Sequence, residues 1–184
     1  MAASCREQAA LDSVWFVPAA LQPLKPGGPQ ASNADRIAML QQITDNTANF
    51  DVCSLEIDRG GVSYTFETLQ SIRNQQPEAE LFFLMGADSL EELSQWRRPE
   101  DICRLATPLV VRRAGKPQPD FDSLRPLVSA ERLSEIRRCQ VEMDEVPISS
   151  SQIRGLIKEQ GDWQSLVPAE VAAYIVEHSL YGIV

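Results

Sequence analysis

Five short apolar runs of strand character recur along the chain, and segments with helical spacing separate most of them. The runs cover residues 13–19, 52–58, 80–86, 108–113 and 139–144. In one of the separating segments, Phe66, Leu69 and Ile72 lie three positions apart, as on one face of a helix. This alternation predicts parallel strands joined by crossover helices, and therefore an α/β fold.

The C-terminal part reads as helical. Ser149 followed three residues later by Gln152 is a capping-box pattern, which predicts that a helix starts at Ser149. A last helix begins near Pro168, and its apolar positions are expected to pack on the sheet. We expect a single domain over residues 1–184, with C-terminal helices from about residue 149.

Composition and charge narrow the function classes. The net charge of −9 argues against nucleic acid and anionic membranes as main partners. No apolar run is long enough to span a membrane and no leader pattern opens the chain, so we expect a cytoplasmic protein. The four cysteines are dispersed, which predicts reduced thiols and no metal site, with Cys53 and Cys139 inside strands.

Candidate ligand-binding residues follow the strands, because ligands of open parallel sheets bind beyond the carboxyl ends of the strands. A long Pro/Gly-rich loop carrying Lys25 follows the first strand. After the third strand, Gly86 would let a ligand approach the backbone, and the Asp88 carboxylate would accept hydrogen bonds from a ribose diol. Alternatively, Asp88 is only the N-cap of the next helix. Arg112 and Arg113 end the fourth strand.

Two further groups of residues are candidates for ligand binding. Ser150, Ser151 and Arg154, at the start of the predicted helix, would form a phosphate cradle with the free backbone N–H groups, or else an ordinary N-cap with an exposed arginine. Trp96, beside Arg97, would stack on a heteroaromatic ring with an anionic substituent. The alternative for Trp96 is a half-buried indole covered by arginine stems.

The other two tryptophans and the only histidine are interpreted as structural. Trp15 and Trp163 are expected in the core, and His178 is expected at the surface or in packing contacts.

The order of these motifs resembles the family of nicotinate-nucleotide adenylyltransferases over almost the whole chain. The matching stretches are VWFVPA (14–19), QPLKP (22–26), DRIAML (35–40), GGVSYTFETL (60–69), LFFLMGADSLEELSQWRRPEDI (81–102), VVRRAGKP (110–117), ISSSQIRGLI (148–157) and VPAEVAAYIVEHSLYG (167–182). The resemblance implies a Rossmann-like nucleotidyltransferase fold, a parallel sheet with flanking helices. It also implies transfer of AMP from ATP to nicotinate mononucleotide in NAD biosynthesis, with Mg²⁺, giving nicotinate adenine dinucleotide and pyrophosphate.

Site residues follow from the same resemblance. It implies that the pyridine nucleotide is bound by Tyr64, Thr65, Trp96 and Arg97. It implies that ATP is bound by Lys25, Gly86, Asp88, Arg113, Ser150, Ser151 and Arg154. The oligomeric state is left open, with a homo-oligomer as one alternative.

The chain departs from the family pattern in two places. Leu24 and Lys25 stand where the family has His-Lys. The family's first strand and GxFDPxHxGH motif, whose histidines stabilise the phosphates in the transition state, have no match here, so no catalytic residue is identified. We expect a first strand to be missing and the activity of the chain as written to be impaired.

Three explanations remain open: an adenylyltransferase whose start codon lies further upstream, a truncated pseudoenzyme that binds pyridine nucleotide without turnover, and an adenylyltransferase with another mononucleotide acceptor.

Overall fold

Strands and helices alternate in a computed structural model, which describes residues 1–24, 28–113, 118–144 and 148–183. The chain divides into two compact units. The first unit comprises Met1–Asp12 and Tyr64–Glu145, and the second comprises Ser13–Ser63 and Val146–Val184. Strand pairing within the described sheets is parallel in both units, which confirms the predicted α/β class.

A three-stranded parallel sheet lies at the centre of the first unit, in the order β3-β4-β5. Its strands are β3 (Phe82–Gly86), β4 (Thr107–Arg113) and β5 (Gln140–Met143). Its helices are α1 (Ala2–Gln8), α4 (Thr65–Gln75), α5 (Ala87–Glu92), α6 (Pro99–Leu105) and α7 (Ala130–Arg138). The predicted strands at 80–86, 108–113 and 139–144 are therefore confirmed within one or two residues.

Side chains of the central strand β4 alternate between two apolar layers, as the period of two in a strand requires. Val110 packs with Leu90 and Ile102 in the larger cluster, which also includes residues of α4 and α7. Leu109 points into the other cluster, where Cys5 of α1 is fully buried. Both faces of the sheet are thereby covered, which is typical of parallel sheets.

The second unit contains a parallel pair of strands and helices from both ends of its sequence. The strands are β1 (Val14–Phe16) and β2 (Phe50–Val52), with Val14 opposite Phe50. The helices are α2 (Asn33–Thr44), α3 (Leu55–Arg59), α8 (Ser150–Lys158) and α9 (Ala169–Glu177). No helix in the described ranges is long and apolar enough to cross a membrane.

Four sequence predictions in the second unit are wrong, including that for Cys53. The expected strand at 52–58 ends at Val52, and residues 55–59 form α3. The Ser54 hydroxyl donates to the Asp58 carboxylate at 2.6 Å across this turn, and Gly60, at φ 70°, follows it. Trp15 is 38% exposed because, in β1, Val14 takes the buried position and the next side chain points the other way.

The third error concerns α9, which packs on helices where packing on the sheet was expected. Val171 and Ile175 lie in a cluster with residues of α2 and α8 and with the buried Trp163, which confirms Trp163 as a core residue. Cys53 and Cys139 are also misplaced, since each lies one residue outside a strand. His178 is exposed and its ring stacks on that of Tyr174, as expected of a surface packing residue.

Candidate active site

A hydrogen-bonded segment of the second unit leads into Tyr64 and Thr65. Val62 forms a parallel bridge with Leu21, in the loop after β1. Ser63 is buried, its N–H donates to the Leu21 carbonyl at 2.8 Å, and its hydroxyl oxygen accepts from the Ala20 N–H at 2.9 Å. This fixes the backbone immediately before the two predicted substrate-binding residues.

Tyr64 and Thr65 stand at the start of α4. Tyr64 is the N-cap residue, with an extended backbone (φ −93°, ψ 123°), and no side chain caps the helix there. Both side chains are half-buried. The N-terminal end of α4 therefore presents an aromatic ring and a hydroxyl group beside free backbone N–H groups.

Trp96 is half-buried against the core of the first unit. It follows a short 3-10 turn (Leu93–Gln95), and its indole meets the Phe83 ring edge to face at a centroid distance of 6.0 Å. The indole N–H is buried and has no acceptor in the part of the chain that the structure describes. The partial burial agrees with the packing interpretation, while stacking on a ligand ring stays a prediction.

Arg97 lies over aromatic rings that begin α4. Its guanidinium carbon is 4.4 Å from the centroid of the Tyr64 ring and 5.8 Å from that of Phe66. The structure thus brings together Tyr64 and Arg97, which are 33 positions apart in the sequence. The helical spacing of Phe66 predicts only that it lies on one face of α4, and no spacing in the sequence indicates that it faces these arginines.

Arg98, the next residue, has a different environment. Its guanidinium carbon lies 4.8 Å from the centroid of the Phe66 ring, and its Nε donates to Asp101 Oδ2 at 2.5 Å. Asp101 also accepts from Arg104, and these contacts, with that of Arg104 the larger, lower the pKa of the Asp101 carboxyl. Arg98 therefore shares the Asp101 carboxylate with Arg104, and its backbone (φ 56°) turns the chain into α6.

Gly86 and Asp88 lie at the carboxyl end of β3, as predicted. Gly86 is the last residue of the strand and the N-cap of α5, and a Cβ placed there would meet nothing within 4 Å. Asp88 is exposed in the first turn of α5, so its interpretation as the N-cap is wrong. Gly86 occupies the N-cap position because β3 runs directly into α5.

The predicted capping box is present at the start of α8. Ser149 Oγ accepts from the Gln152 N–H at 3.2 Å, and Gln152 Oε1 accepts from the Ser149 N–H at 2.8 Å. Ser150 and Ser151 are the exposed first residues of the helix. Arg154 donates to Ser151 Oγ at 3.3 Å, so the arginine and the serines share the first turn.

The remaining predicted cations lie wholly or partly outside the described residues. Lys25 is outside them, and of Arg113 only the place at the end of β4 is described. Arg112 Nη1 lies 3.7 Å from Glu142 Oε2, and its Nε is buried without an acceptor in the described residues. Within the same ranges, no three His, Cys, Asp or Glu side chains are grouped so that they could hold a metal ion.

Comparison with known proteins places this arrangement in a family. The model of the cytidylyltransferase-like family matches residues 1–156. A probable nicotinate-nucleotide adenylyltransferase from Rhodopirellula baltica is 35% identical over 183 residues, covering 100% of this chain and 86% of the relative. One from Carboxydothermus hydrogenoformans is 37% identical over 177 residues, covering 95% and 85%.

The chain belongs to the nicotinate-nucleotide adenylyltransferase family. Among solved structures, the Plasmodium falciparum nicotinic acid mononucleotide adenylyltransferase complexed with NaAD matches with a TM-score of 0.68 and 15% identity, over 95% of this chain and 84% of that one. This likeness confirms the Rossmann-like nucleotidyltransferase fold. Nucleotidyltransferases of this kind generally use a divalent metal together with ATP.

Proposed function

We propose that this protein transfers the adenylyl group of ATP to nicotinate mononucleotide, giving nicotinate adenine dinucleotide and pyrophosphate in NAD biosynthesis. The observation that carries the proposal is the 35% identity to a nicotinate-nucleotide adenylyltransferase across the whole chain. A phosphate oxygen of the mononucleotide attacks the α-phosphorus of ATP, and the bond from that phosphorus to the pyrophosphate oxygen breaks.

The attacking phosphate is already anionic, so the reaction depends on positioning and charge neutralisation more than on a strong base. In the first unit, the proposal assigns the pyridine nucleotide to Tyr64, Thr65, Trp96 and Arg97. In the same unit, it assigns the adenosine ribose to Gly86 and Asp88. These assignments agree with the aromatic and cationic groups at the start of α4 and with the open space beside Gly86.

In the second unit, the proposal assigns ATP phosphates to Ser150, Ser151 and Arg154. The free N–H groups of a helix N-terminus and the adjacent guanidinium favour an anion. Lys25 and Arg113 are proposed as further phosphate contacts. We assign Mg²⁺ to the ATP phosphate oxygens, since Mg²⁺ commonly binds through substrate phosphates and would there neutralise their charge.

A second candidate function is binding of pyridine nucleotide without turnover. The observation that favours it is the single histidine, His178, which follows α9 and stacks on Tyr174. A polypeptide of these 184 residues therefore has no pair of histidines to stabilise the phosphates in the transition state.

Binding and turnover distinguish the two candidates. Calorimetry should show that the protein binds nicotinate mononucleotide. Trp96→Ala should weaken this binding strongly. Trp15→Ala, the control at an exposed tryptophan, should leave it intact. Because Trp96 packs on Phe83, urea unfolding must show that the variant is folded. Pyrophosphate release that requires both ATP and the mononucleotide supports the enzyme, and tight binding without release supports the binder.

The proposal also concerns the identity of the mononucleotide acceptor, the location of the protein and its partners. Release with nicotinamide mononucleotide, and none with the acid, would move the assignment to another acceptor. Cytoplasmic location, the absence of a nucleic-acid partner and a homo-oligomeric state stay predictions.

A further inference from the structure

The turn that carries Trp96 and Arg97 ends in a strained backbone conformation. Arg98, the next residue, has φ 56° and ψ 57°, in the left-handed region that residues with a Cβ rarely adopt. Pro99 follows it, and a residue before proline prefers an extended backbone. Such a conformation persists only where the surrounding structure holds it, so the contacts of Arg98 identify what does so here.

Two side-chain contacts hold Arg98 in this conformation. Its Nε donates to Asp101 Oδ2 at 2.5 Å, and its guanidinium carbon lies 4.8 Å from the centroid of the Phe66 ring, in α4. Asp101 Oδ1 also accepts from Arg104 Nη2 at 2.8 Å, and the Asp101 side chain is only 20% exposed. Arg104 therefore fixes the carboxylate that binds Arg98.

We propose that Asp101 is a positioning residue, which through Arg98 holds the left-handed turn and thereby keeps Trp96 and Arg97 in place for the mononucleotide. This inference rests on the proposed function, because it requires the pyridine nucleotide to bind at this turn. Asp101 acts through the backbone and does not touch the ligand. Loss of its carboxylate lets Arg98 relax toward the extended conformation that precedes proline, and the two residues before it move with the backbone.

Calorimetry on the full chain, with nicotinate mononucleotide and with ATP, tests this role without depending on turnover. Asp101→Ala should weaken binding of the mononucleotide about two- to fivefold, the range for an ion pair near the surface, and should change ATP affinity less than about twofold. Asp122→Ala is the matched control, because Arg125 and Arg137 share the Asp122 carboxylate in the same unit. It should leave the mononucleotide affinity unchanged.

Substitutions of Arg98 separate a role in the backbone from direct contact with the ligand. Arg98→Ala loses the ion pair and keeps the cost of the left-handed conformation, so it should weaken mononucleotide binding as Asp101→Ala does. Arg98→Gly also loses the ion pair, but glycine adopts a positive φ without that cost. It should therefore bind the mononucleotide about two- to fivefold more tightly than Arg98→Ala. Equal weakening by the two substitutions would overturn the inference, since it would indicate that the Arg98 side chain itself contacts the ligand.

Two results with Asp101→Ala would also overturn the inference. One is an unchanged affinity for the mononucleotide. The other is equal weakening of mononucleotide and ATP, which would indicate a general loss of structure that urea unfolding of the same variant can detect. Absence of mononucleotide binding to the wild type would instead refute the proposed function, and this inference with it.

Discussion

The capping box at the start of α8 connects local structure with the proposed ATP site, and Ser149→Ala perturbs it most simply. The substitution removes the acceptor of the Gln152 N–H, a hydrogen bond of 3.2 Å, and leaves the reciprocal bond of 2.8 Å possible. Both bonds are exposed, so water can replace the lost acceptor. The free energy of unfolding should therefore fall by about 0.5 to 1 kcal/mol, the lower part of the range for N-caps.

The helix itself should persist in this variant. Ile157 is buried in the cluster that also contains Trp163 and residues of α9, and Ile153 packs against it, so packing holds α8 in place. The loss should be confined to the first turn, where Ser150 and Ser151 begin the helix. If that turn binds ATP phosphates, its fraying should raise the Kd for ATP by about two- to fivefold, which corresponds to up to ~1 kcal/mol.

Urea unfolding followed by tryptophan fluorescence measures the stability, because Trp163 is buried in the same cluster as α8. Calorimetry measures the ATP affinity. Ser165→Ala, at an exposed serine whose hydroxyl donates to Asp162, is the matched control and should change both quantities little. An unfolding free energy unchanged by Ser149→Ala would refute the capping argument. A loss of stability with unchanged ATP affinity would refute the phosphate assignment to this turn.

Three further predictions concern stability and reactivity. Tyr174→Phe removes the hydrogen bond from Tyr174 to Asp35 (3.1 Å) between α9 and α2, and should lower the urea midpoint of unfolding; an unchanged midpoint would mean that the bond contributes nothing. The pKa of Asp101 is lowered by its contacts with Arg104 and Arg98, so its stabilising effect is present above about pH 4 and is lost as the pH falls through the lowered value. Urea midpoints of wild type and Asp101→Asn should therefore differ at pH 7 and converge in acid, and a constant difference would contradict this. Burial raises the pKa of Cys103 to about 11, so iodoacetamide should label the half-buried Cys53 first, as mass spectrometry of the native protein can show; equal labelling would mean that Cys103 is open to solvent.

Local patterns predicted most elements of the fold. The run LFFLMG lies in a strand, and the Ser149/Gln152 pair starts a helix, because each signal depends on residues close in sequence. The prediction of a strand at 52–58 is wrong because alternating apolar and polar residues over so short a stretch also suit a single helical turn. Residues 55–59 adopt such a turn. The prediction that Trp15 lies in the core is wrong because the size of a side chain does not determine which face of a short strand it occupies.

In the candidate site, too, local sequence patterns predict some features and not others. The placement of Gly86 at the carboxyl end of β3 follows from the strand pattern alone. The approach of Arg97 to Tyr64 does not follow from a local pattern, since it brings together residues 33 positions apart in the sequence. Nothing in the spacing distinguishes Arg97 from Arg98, and only the position of Asp101 in the folded chain does so.

Formation of nicotinate adenine dinucleotide by the 184-residue polypeptide tests the proposed function most directly. Micromolar protein is incubated for hours with ATP, Mg²⁺ and nicotinate mononucleotide, and dinucleotide and pyrophosphate are quantified by mass spectrometry and a coupled assay. Because a typical turnover is about 10 s⁻¹, these conditions would yield detectable dinucleotide even at a rate ~10⁵-fold lower. Equal amounts of the two products, dependent on both substrates, are the predicted result. Absence of the dinucleotide under these conditions would contradict the proposed activity of this polypeptide.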